Sequence, residues 1–429
     1  MKKVLSTLAV CLAVILSGCA ENSDTDTTDS ESSTKETSHS NSSLTNLMTL
    51  DKNALSDYDY TRLKDKNITL NVCNWGEYMA VEQEDYMDVN KEFEKLTGIT
   101  VNYKTFASNE ELYSKIKSGG ANYDIIVPSD YMISRMIEED ILDKINFDNI
   151  PNFKHINKSL VNPDYDPGNL YSVPYTMGIV AIVYNKTMID DEITGYKDLW
   201  NSRYSGQILM FNNPRDAFGI ALTYLGYSQN TQDKNELDEA AQILKEQKKY
   251  VQAYVMDEIF DKMEGGSAAI APYYAGDVQT MIDDNPDLDY CIPEEGTNRF
   301  VDAFCIPKGA QNKEAAEMYI NFMNETQIAY TNTDYLCYTS VHDEVSALLD
   351  EDTKNNKLRC PDNDYLSNKT EVFVNLSKET NDYVQELWNQ IKIEKSKSAW
   401  LVPILLVVAV AIIIFIDIRR SKKKKQDIF

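Results

Sequence analysis

Two loops that follow predicted strands combine aromatic rings with acidic side chains. The first, residues 74–78, reads Asn-Trp-Gly-Glu-Tyr and follows an alternation of Ile68, Leu70 and Val72; the second, residues 123–131, ends in Pro-Ser-Asp-Tyr. Loops at the strand ends of α/β sheets commonly carry ligand sites. Because ring faces attract cations and carboxylates neutralise them, the two loops predict a binding site for an organic cation.

The elements that position these loops alternate between strand and helix. Strands are predicted at 68–73, 100–105 and 124–127, and helices at 81–97, 110–118 and 131–139. Gly98 and the glycine pair at 119–120 are typical helix stops. Such a β-α-β-α-β run indicates a parallel sheet with helices on both faces.

The second half of the chain predicts a further set of elements. Strands are predicted at 207–211, 268–271 and 288–292, and helices at 216–225, 234–248, 313–324 and 369–393. Two more extended runs lie at 179–185 and 300–306. We interpret these runs as crossings into and back from a second lobe, in a chain long enough for one large domain or two lobes.

The N-terminus predicts a lipoprotein. A basic start leads into an apolar stretch over 4–16 and then into Leu-Ser-Gly-Cys at 16–19. This pattern makes 1–18 a secretory signal peptide, and its resemblance to a bacterial lipobox makes Cys19 the lipid-modified first residue of the mature chain. A plain signal peptide with an incidental cysteine is the alternative. Because residues 21–43 have almost no apolar side chains, 19–64 is assigned to a disordered tether.

The C-terminus predicts a second anchor. Residues 401–416 are almost wholly apolar, and Arg419, Arg420 and four lysines at 422–425 follow them. An apolar stretch of this length suits a transmembrane helix, assigned to 399–417, and the basic cluster indicates that the tail at 418–429 is cytoplasmic. The folded part is therefore expected on the extracellular side of the cell membrane, in a lipid-anchored, single-pass protein.

Composition excludes some partners and kinds of site. The formal net charge of −26 argues against nucleic acid and anionic lipid surfaces as partners. Three scattered histidines and the cysteine spacing predict no metal site, and no cofactor is predicted. Cys73, Cys291 and Cys305 are interpreted as small core residues, whereas a disulfide between Cys337 and Cys360 is left open.

Taken in order, these motifs resemble the periplasmic spermidine/putrescine-binding proteins of ABC transporters. The matching segments are 74–78, 93–99, 123–131, 173–175 with Gly178, 184–185, 214–218, 224–228 and 274–277. The resemblance implies a two-lobed α/β periplasmic-binding-protein fold, with a ligand cleft between the lobes, that delivers a polyamine to ABC permease subunits. The lobes are expected at 65–178 with 300–342, and at 179–299 with 343–396.

The candidate site residues follow from the motifs and from this resemblance. They are Trp75, Glu77, Tyr78, Ser129 and Tyr131 in the first segment of the first lobe, Asn213, Asp216, Tyr274 and Asp277 in the second lobe, Phe300 and Asp302 on the return crossing, and Tyr338 after it. In the family, rings enclose the methylene chain and acids bind the amino groups. Asp302 lies in an otherwise apolar run, where a buried acid needs a cationic partner. For Glu77 and Asp216 the alternative is an acid at a helix N-terminus.

Departures from the family pattern leave the ligand open. Asn213 stands where spermidine binders usually carry an acid, and Tyr274 and Phe300 stand where Trp is common. These changes favour a shorter diamine such as putrescine, or a changed preference. Alternative functions are the binding of another organic cation and a sensor ectodomain. An enzyme is not predicted: Glu77 and Asp216 could be the paired acids of a glycosidase, but the sequence has no nucleophile elbow, P-loop or zinc motif.

Overall fold

The computed structural model describes residues 44–83 and 85–393. The strands in this part of the chain are β1 (Thr69–Trp75), β2 (Thr100–Phe106), β3 (Ile125–Ile126), β4 (Leu142–Asp143), β5 (Ser172–Asn185), β6 (Ile208–Phe211), β7 (Val251–Val255), β8 (Ile270–Tyr274), β9 (Leu288–Cys291), β10 (Thr297–Pro307), β11 (Thr339–Ser340) and β12 (Thr370–Glu371). The α-helices are α1 (Val89–Thr97), α2 (Asn109–Lys117), α3 (Asp130–Glu138), α4 (Pro214–Leu225), α5 (Lys234–Gln247), α6 (Glu258–Glu264), α7 (Ala275–Asp284), α8 (Lys313–Met323), α9 (Thr326–Leu336), α10 (Asp343–Leu348), α11 (Glu351–Asn355), α12 (Asn363–Asn368) and α13 (Lys378–Ile393).

A mixed sheet runs through the molecule in the order β2-β1-β3-β10-β5-β8-β6-β7. Strand β1 is parallel to β2 and β3, and β6 is parallel to β7 and β8, as expected where helices connect the strands. Between these two parallel parts, β5 and β10 pair with each other in antiparallel orientation. They are 14 and 11 residues long and contain the extended runs predicted to cross between lobes.

Separate hydrophobic cores pack on the two parallel parts of the sheet. Around β1 and β3, one cluster includes Leu70 and Tyr319, and a second, smaller cluster includes Met132. Around β6 and β8, a large cluster includes Phe211 and Trp388. We call the part around β1 and β3 the first lobe and the part around β6 and β8 the second lobe. Strands β5 and β10 bridge them.

The segment ahead of β1 packs against the first lobe. Tyr60 and Leu63 are each only 3% exposed. The Tyr60 hydroxyl donates a hydrogen bond of 2.6 Å to Oε1 of Glu325. The predicted disordered tether over 19–64 is therefore too long at its C-terminal end, because the apolar side chains there find a surface on which they can be buried.

Two helices begin at residues other than the predicted ones, because N-cap side chains fix their first turns. Helix α1 begins at Val89 rather than near 81, because the Asp88 side chain accepts a hydrogen bond from the N–H of Lys91. Helix α4 begins at Pro214, two residues earlier than predicted, with Asn213 as its N-cap. Proline is well tolerated at the first helical position, where its missing N–H has no partner to lose.

Several predicted features lie outside the described residues: the signal peptide at 1–18, Cys19, the transmembrane helix at 399–417 and the basic tail at 418–429. Within 44–83 and 85–393, no helix has both the length and the apolar character needed to span a bilayer. Cys337 and Cys360 are both free thiols in the described structure, so the disulfide that the sequence leaves open is not formed there.

Candidate functional site

A cavity lies between the two lobes, beside the bridging strand β10. It encloses about 600 Å³ of space, part of it continuous with solvent. Its lining residues are Trp75, Gly76, Tyr78, Asn109, Ser129, Asp130, Tyr131, Asn213, Asp216, Met256, Asp257, Tyr273, Tyr274, Asp277, Asn298, Phe300, Asp302, Tyr338 and Phe373. Eleven of the twelve residues predicted from the sequence are among them, and Glu77 is the exception.

Glu77 follows the end of β1 but is exposed to solvent. Its φ angle of 45° lies in the left-handed region, which few side chains adopt. The first α-helix after it begins at Val89 and has Asp88 as its N-cap. The structure therefore corrects both interpretations of Glu77, because it neither lines the cavity nor lies at a helix N-terminus.

Asp302 is positioned by an irregularity in β10. The pairing register with β5 shifts between Asp302 and Ala303, and such a bulge re-aims a side chain. Asp302 is only 4% exposed, and its Oδ2 accepts a hydrogen bond of 2.7 Å from the Tyr78 hydroxyl. Its Oδ1 accepts no hydrogen bond of good geometry from any described residue. Burial raises the pKa of Asp302 to about 6, although the hydroxyls of Ser129 and Tyr78 oppose the shift.

The start of α3 supplies Ser129 and Tyr131. Ser129 forms an isolated β-bridge with Asp302, and Asn109 holds it from the other side. Nδ2 of Asn109 donates to Oγ of Ser129 at 3.0 Å, while the Ser129 N–H donates to Oδ1 of Asn109 at 3.1 Å. The Tyr131 hydroxyl donates to Oε1 of Glu110 at 3.0 Å. Both residues are thus held rigidly at the cavity wall.

The start of α4 supplies Asn213 and Asp216. Oδ1 of Asn213 accepts a hydrogen bond of 2.9 Å from the N–H of Arg215, so this oxygen serves as the helix cap. Oδ2 of Asp216 accepts a hydrogen bond of 2.9 Å from the Tyr274 hydroxyl. Burial raises the pKa of Asp216 to about 7, and the charge of Glu110 adds to the shift. Asp216 is therefore an acid in the first helical turn, as one interpretation states, and it also lines the cavity.

The start of α7 supplies Asp277, which faces Tyr338 in the short connection between α9 and β11. Burial raises the pKa of Asp277 to about 8; the Tyr338 hydroxyl opposes this shift and the charge of Asp257 adds to it. The Tyr338 ring lies directly against Gly276, where an added Cβ would come within 2.3 Å of the ring. A glycine is thus needed at 276 for Tyr338 to reach the cavity.

Aromatic rings form a continuous wall of the cavity. The ring centroids of Tyr274 and Phe300 are 5.3 Å apart, those of Phe300 and Tyr338 are 6.2 Å apart, and those of Tyr338 and Tyr78 are 5.3 Å apart. All three pairs meet edge to face, a favourable arrangement for aromatic rings. Trp75 lies at the end of β1 and completes the lining beside Tyr78.

Two acidic lining residues were missed by the sequence analysis. Asp130 lies inside the second loop and is fully buried; its Oδ2 accepts the N–H of Val301 at 3.0 Å, and its Oδ1 accepts the N–H of Tyr131 at 2.7 Å. Burial raises the pKa of Asp130 to about 8. Asp257 follows β7, a strand that the sequence analysis did not assign. The alternation of Val251, Ala253 and Val255 was the available signal.

The arrangement can bind an organic cation without any metal. Asp130, Asp216 and Asp302 are buried beside the rings and Asp277 is partly buried there, and no described lining residue carries a positive charge. Charge-assisted hydrogen bonds to carboxylates and ring faces both favour ammonium groups. Among the described residues, no group of three or more His, Cys, Asp and Glu side chains is arranged to hold a metal ion.

Comparisons with known proteins agree with this geometry. The profile of the family described as bacterial extracellular solute-binding proteins matches residues 89–359. The spermidine/putrescine-binding periplasmic protein of Escherichia coli is 33% identical over 307 residues, which are 71% of this chain and 86% of that protein. A putrescine-binding periplasmic protein of Pseudomonas aeruginosa is 27% identical over 345 residues, 76% of this chain and 92% of that protein.

Solved structures share the architecture. The spermidine/putrescine ABC transporter substrate-binding protein of Streptococcus pneumoniae superposes with a TM-score of 0.64 at 34% identity, covering 76% of this chain and 99% of that one. A lipoprotein of Treponema pallidum gives a TM-score of 0.67 at 26% identity, covering 75% and 99%. The α/β fold is therefore that of the periplasmic binding proteins, and the chain belongs to the family of bacterial extracellular solute-binding proteins.

Proposed function

We propose that this chain is the extracellular polyamine-binding component of an ABC importer, with putrescine and spermidine as its ligands. Relatives at 33% and 27% identity are named for binding these two polyamines or putrescine alone. One observation carries the proposal. The buried Asp302 carboxylate lines a ring-walled cavity, and one of its oxygens accepts no hydrogen bond of good geometry from the described residues.

Two kinds of contact support a polyamine rather than an uncharged solute. Ammonium groups would form charge-assisted hydrogen bonds with Asp216, Asp277 and Asp302, and the methylene chain would pack on the rings of Tyr274 and Phe300. A bound cation favours the ionised form of a neighbouring carboxylate. Binding would therefore offset the unfavourable burial of these acids, an effect that a neutral ligand of the same shape does not supply.

The remaining predicted residues have supporting roles in this proposal. The rings of Trp75, Tyr78, Tyr131 and Tyr338 would enclose the ligand, Ser129 would hold Asp302 in place, and Asn213 would cap α4 so that Asp216 faces the cavity. The support for these roles is their position in the cavity lining. The exposed Glu77 is left out of this set.

The two lobes supply different parts of the proposed contact. We assign 65–178 with 300–342 to the first lobe and 179–299 with 343–396 to the second. We propose that the ligand-bound form, with both lobes on the ligand, is the form that binds the permease subunits. A ligand held by both lobes shifts an open–closed equilibrium by its preference for the closed form. The two bridging strands, β5 and β10, support such a hinge because few chain segments connect the separate cores.

Two membrane anchors are part of the proposal. The sequence around Cys19 supports a lipid anchor, and the apolar run at 399–417 with its basic tail supports a single-pass helix that leaves the folded part outside. If both anchors operate, Cys19→Ser alone and truncation after residue 396 alone will each leave the protein in the membrane fraction. Only the combined change will release it, and release by either single change would refute double anchoring.

The ligand proposal is tested by isothermal titration of the full-length chain in detergent micelles with putrescine, spermidine and spermine. We expect saturable binding of putrescine and spermidine, and none of 1,4-butanediol, which keeps the carbon chain of putrescine and lacks its charges. Trp75→Ala and Asp302→Ala should each abolish or strongly weaken the titration. A folded protein that gives no heat with any polyamine would sink the proposal and direct the search to other organic cations or to a sensor role.

A further inference from the structure

The carboxylates of the cavity follow one another in a definite order. Asp216 is hydrogen-bonded to Tyr274 at one end, the ring of Phe300 follows, and the ring of Tyr338 beside Asp277 comes next. Asp302 is hydrogen-bonded to Tyr78, whose ring adjoins that of Tyr338, and beyond the effect of burial its charge helps to raise the pKa of both Asp216 and Asp277. The cavity is therefore a row of acids rather than a single acidic cluster.

The Asp216 end of this row is closed by a positive charge. Tyr131 and Phe373 line the cavity at this end. The guanidinium of the buried Arg215 lies 4.4 Å from the ring centre of Phe373 and 5.9 Å from that of Tyr131. Nη2 of Arg215 is fixed by a hydrogen bond of 2.6 Å to Oδ1 of Asn230. The Glu110 carboxylate, which accepts the Tyr131 hydroxyl, offsets part of this charge. A ligand ammonium that extended beyond Asp216 would still approach the rings of Tyr131 and Phe373 with the fixed cation behind them, so extra ligand length is disfavoured here.

The other end of the row continues to Asp257. This residue lies at the N-cap of α6, where aspartate normally accepts a hydrogen bond from the helix, yet its side chain makes no such bond within the described structure. Oε2 of Glu258 instead accepts the N–H of Met256 at 3.0 Å. The Asp257 carboxylate lines the cavity and lies so close to Gly76 of the first lobe that an added Cβ there would be 2.4 Å from Oδ2.

We infer that Asp257 determines the length of ligand that the site prefers, by binding the third ammonium group of a triamine at the cavity rim. This inference rests on the proposed function and deepens it. A diamine carries two ammonium groups and is satisfied by neighbouring acids of the inner row. A triamine is longer and carries a third ammonium group, and because the Arg215 guanidinium lies beyond Asp216, we place this extension at the Asp257 end. The structure thus supports a triamine such as spermidine, whereas Asn213 and the smaller rings alone favour putrescine.

Asp257 would act only in the closed form. It comes from the second lobe and lies against Gly76 of the first, so separating the lobes removes it from the ligand. Because Asp257 lies at the rim and is exposed to solvent, its contribution is expected at the low end of that of a charge-assisted hydrogen bond. Its loss should therefore weaken the triamine about tenfold and leave the diamine within about twofold.

The test is a titration of the full-length protein in detergent micelles with spermidine and putrescine. Asp257→Asn removes the charge, and Gly76→Ala displaces the same carboxylate without changing it, since φ at Gly76 is not in the left-handed region. Both variants should raise the ratio of the spermidine Kd to the putrescine Kd about tenfold. Asp261→Asn is the matched control, because Asp261 lies one turn further along α6 and does not line the cavity.

The possible outcomes separate the two proposals. An unchanged Kd ratio in both variants, with both ligands still bound, overturns the role of Asp257 and leaves polyamine binding intact. Equal weakening of both ligands also overturns it, because Asp257 would then act on the helix start or on closure in general. Failure of the wild-type protein to bind either ligand overturns the proposed function itself. A changed ratio in Asp261→Asn would show that net charge rather than position is responsible and would likewise overturn the inference.

Discussion

Two buried aspartates, Asp166 in the scaffold and Asp302 in the cavity, differ in how their oxygens are used. Both are nearly inaccessible, at 1% and 4% exposure. Asp166 accepts the N–H groups of Leu170, Tyr171 and Ser172 at 2.9–3.0 Å and also the Ser172 hydroxyl at 2.8 Å. Asp302 accepts the Tyr78 hydroxyl on one oxygen, and its other oxygen has no donor of good geometry in the described structure.

The difference separates an acid that serves the fold from one that serves a ligand. A buried carboxylate is stable when donors surround it and unfavourable when they do not. The loop that contains Asp166 supplies donors from the adjacent backbone, so the group stabilises that loop. In the cavity only Oδ2 of Asp302 accepts a hydrogen bond of good geometry, from the Tyr78 hydroxyl, so this carboxylate is less fully satisfied by the described structure than that of Asp166. Such a trade of stability for binding is common at functional sites.

The largest expected effect is on ligand binding in Asp302→Asn. The substitution keeps the size of the side chain but removes the charge, and we expect the Kd for putrescine to rise about 100-fold or more. The free energy of unfolding of the ligand-free protein should stay the same or increase, because an unfavourable buried charge is lost. Titration calorimetry and urea unfolding measure the two effects. A marked loss of stability with little change in Kd would place Asp302 in the same class as Asp166.

The converse change is Asp166→Ala. Four donors around Ser172 would lose their acceptor, and we expect a loss of about 3 kcal/mol or more in the free energy of unfolding. The Kd for polyamines, measured where the variant is folded, should change less than about twofold. Urea unfolding followed by circular dichroism gives the stability. If the variant kept wild-type stability and lost binding instead, the distinction between scaffold and cavity acids would fail.

Proton linkage sharpens the comparison. Burial raises the pKa of Asp302 to about 6, of Asp216 to about 7 and of Asp277 to about 8, so these acids are partly protonated near neutral pH. A bound cation favours their ionised form, and binding should therefore release protons. Affinity should increase from pH 5 to pH 8 by up to about tenfold per pH unit for each proton released, while the ligand amines, like lysine, stay charged.

The same shifts fix the sign for stability without ligand. A folded-state pKa raised above the unfolded value of about 4 stabilises the fold at low pH, and this contribution is lost as pH rises through about 6 to 8. Saturating ligand should remove most of that loss. Calorimetry in two buffers with different ionisation enthalpies counts the protons. Proton uptake on binding, or an affinity that falls between pH 5 and pH 8, would contradict the assignment of these acids to the ligand.

Much of the site could be predicted because its residues lie in short motifs at strand ends. Trp75, Tyr78 and Ser129 follow apolar alternations that the local sequence makes visible, and Asp302 stands out as an acid in an apolar run. The fold class followed for the same reason. Parallel strands separated by helices leave a periodic pattern in the sequence that does not depend on distant contacts.

What the sequence could not provide depends on backbone geometry and on contacts between lobes. Glu77 has the right chemistry, but its backbone has a left-handed φ of 45° and its side chain is exposed to solvent, and nothing in its residue type indicates that conformation. Asp257 enters the site only because Gly76 of the other lobe admits it. The burial of Tyr60 and Leu63, just before β1, does not follow from the polar composition of 21–43. The predicted tether continued to 64, although the segment after 43 has apolar side chains that can be buried.

The smallest expected effect is that of Tyr274→Phe, which separates the hydrogen bond that the protein donates to Asp216 from the one that the ligand donates. The ring stays, and the hydroxyl that donates to Asp216 at 2.9 Å is lost. The Kd for putrescine should therefore rise by about three- to tenfold, the effect of losing one hydrogen bond from an uncharged donor to a carboxylate. That hydroxyl opposes the upward shift of the Asp216 pKa, and its removal should therefore increase proton release on binding at pH 7.

The matched control is Tyr196→Phe. The Tyr196 hydroxyl is 2.6 Å from that of Thr297, and neither residue lines the cavity. It should reduce stability by about 1 kcal/mol and leave both Kd and proton release unchanged. Equal effects of the two variants on Kd would mean that the Tyr274 hydroxyl does not matter for binding. Tyr274 would then act through packing, and the ligand alone would supply the hydrogen-bond donors of Asp216.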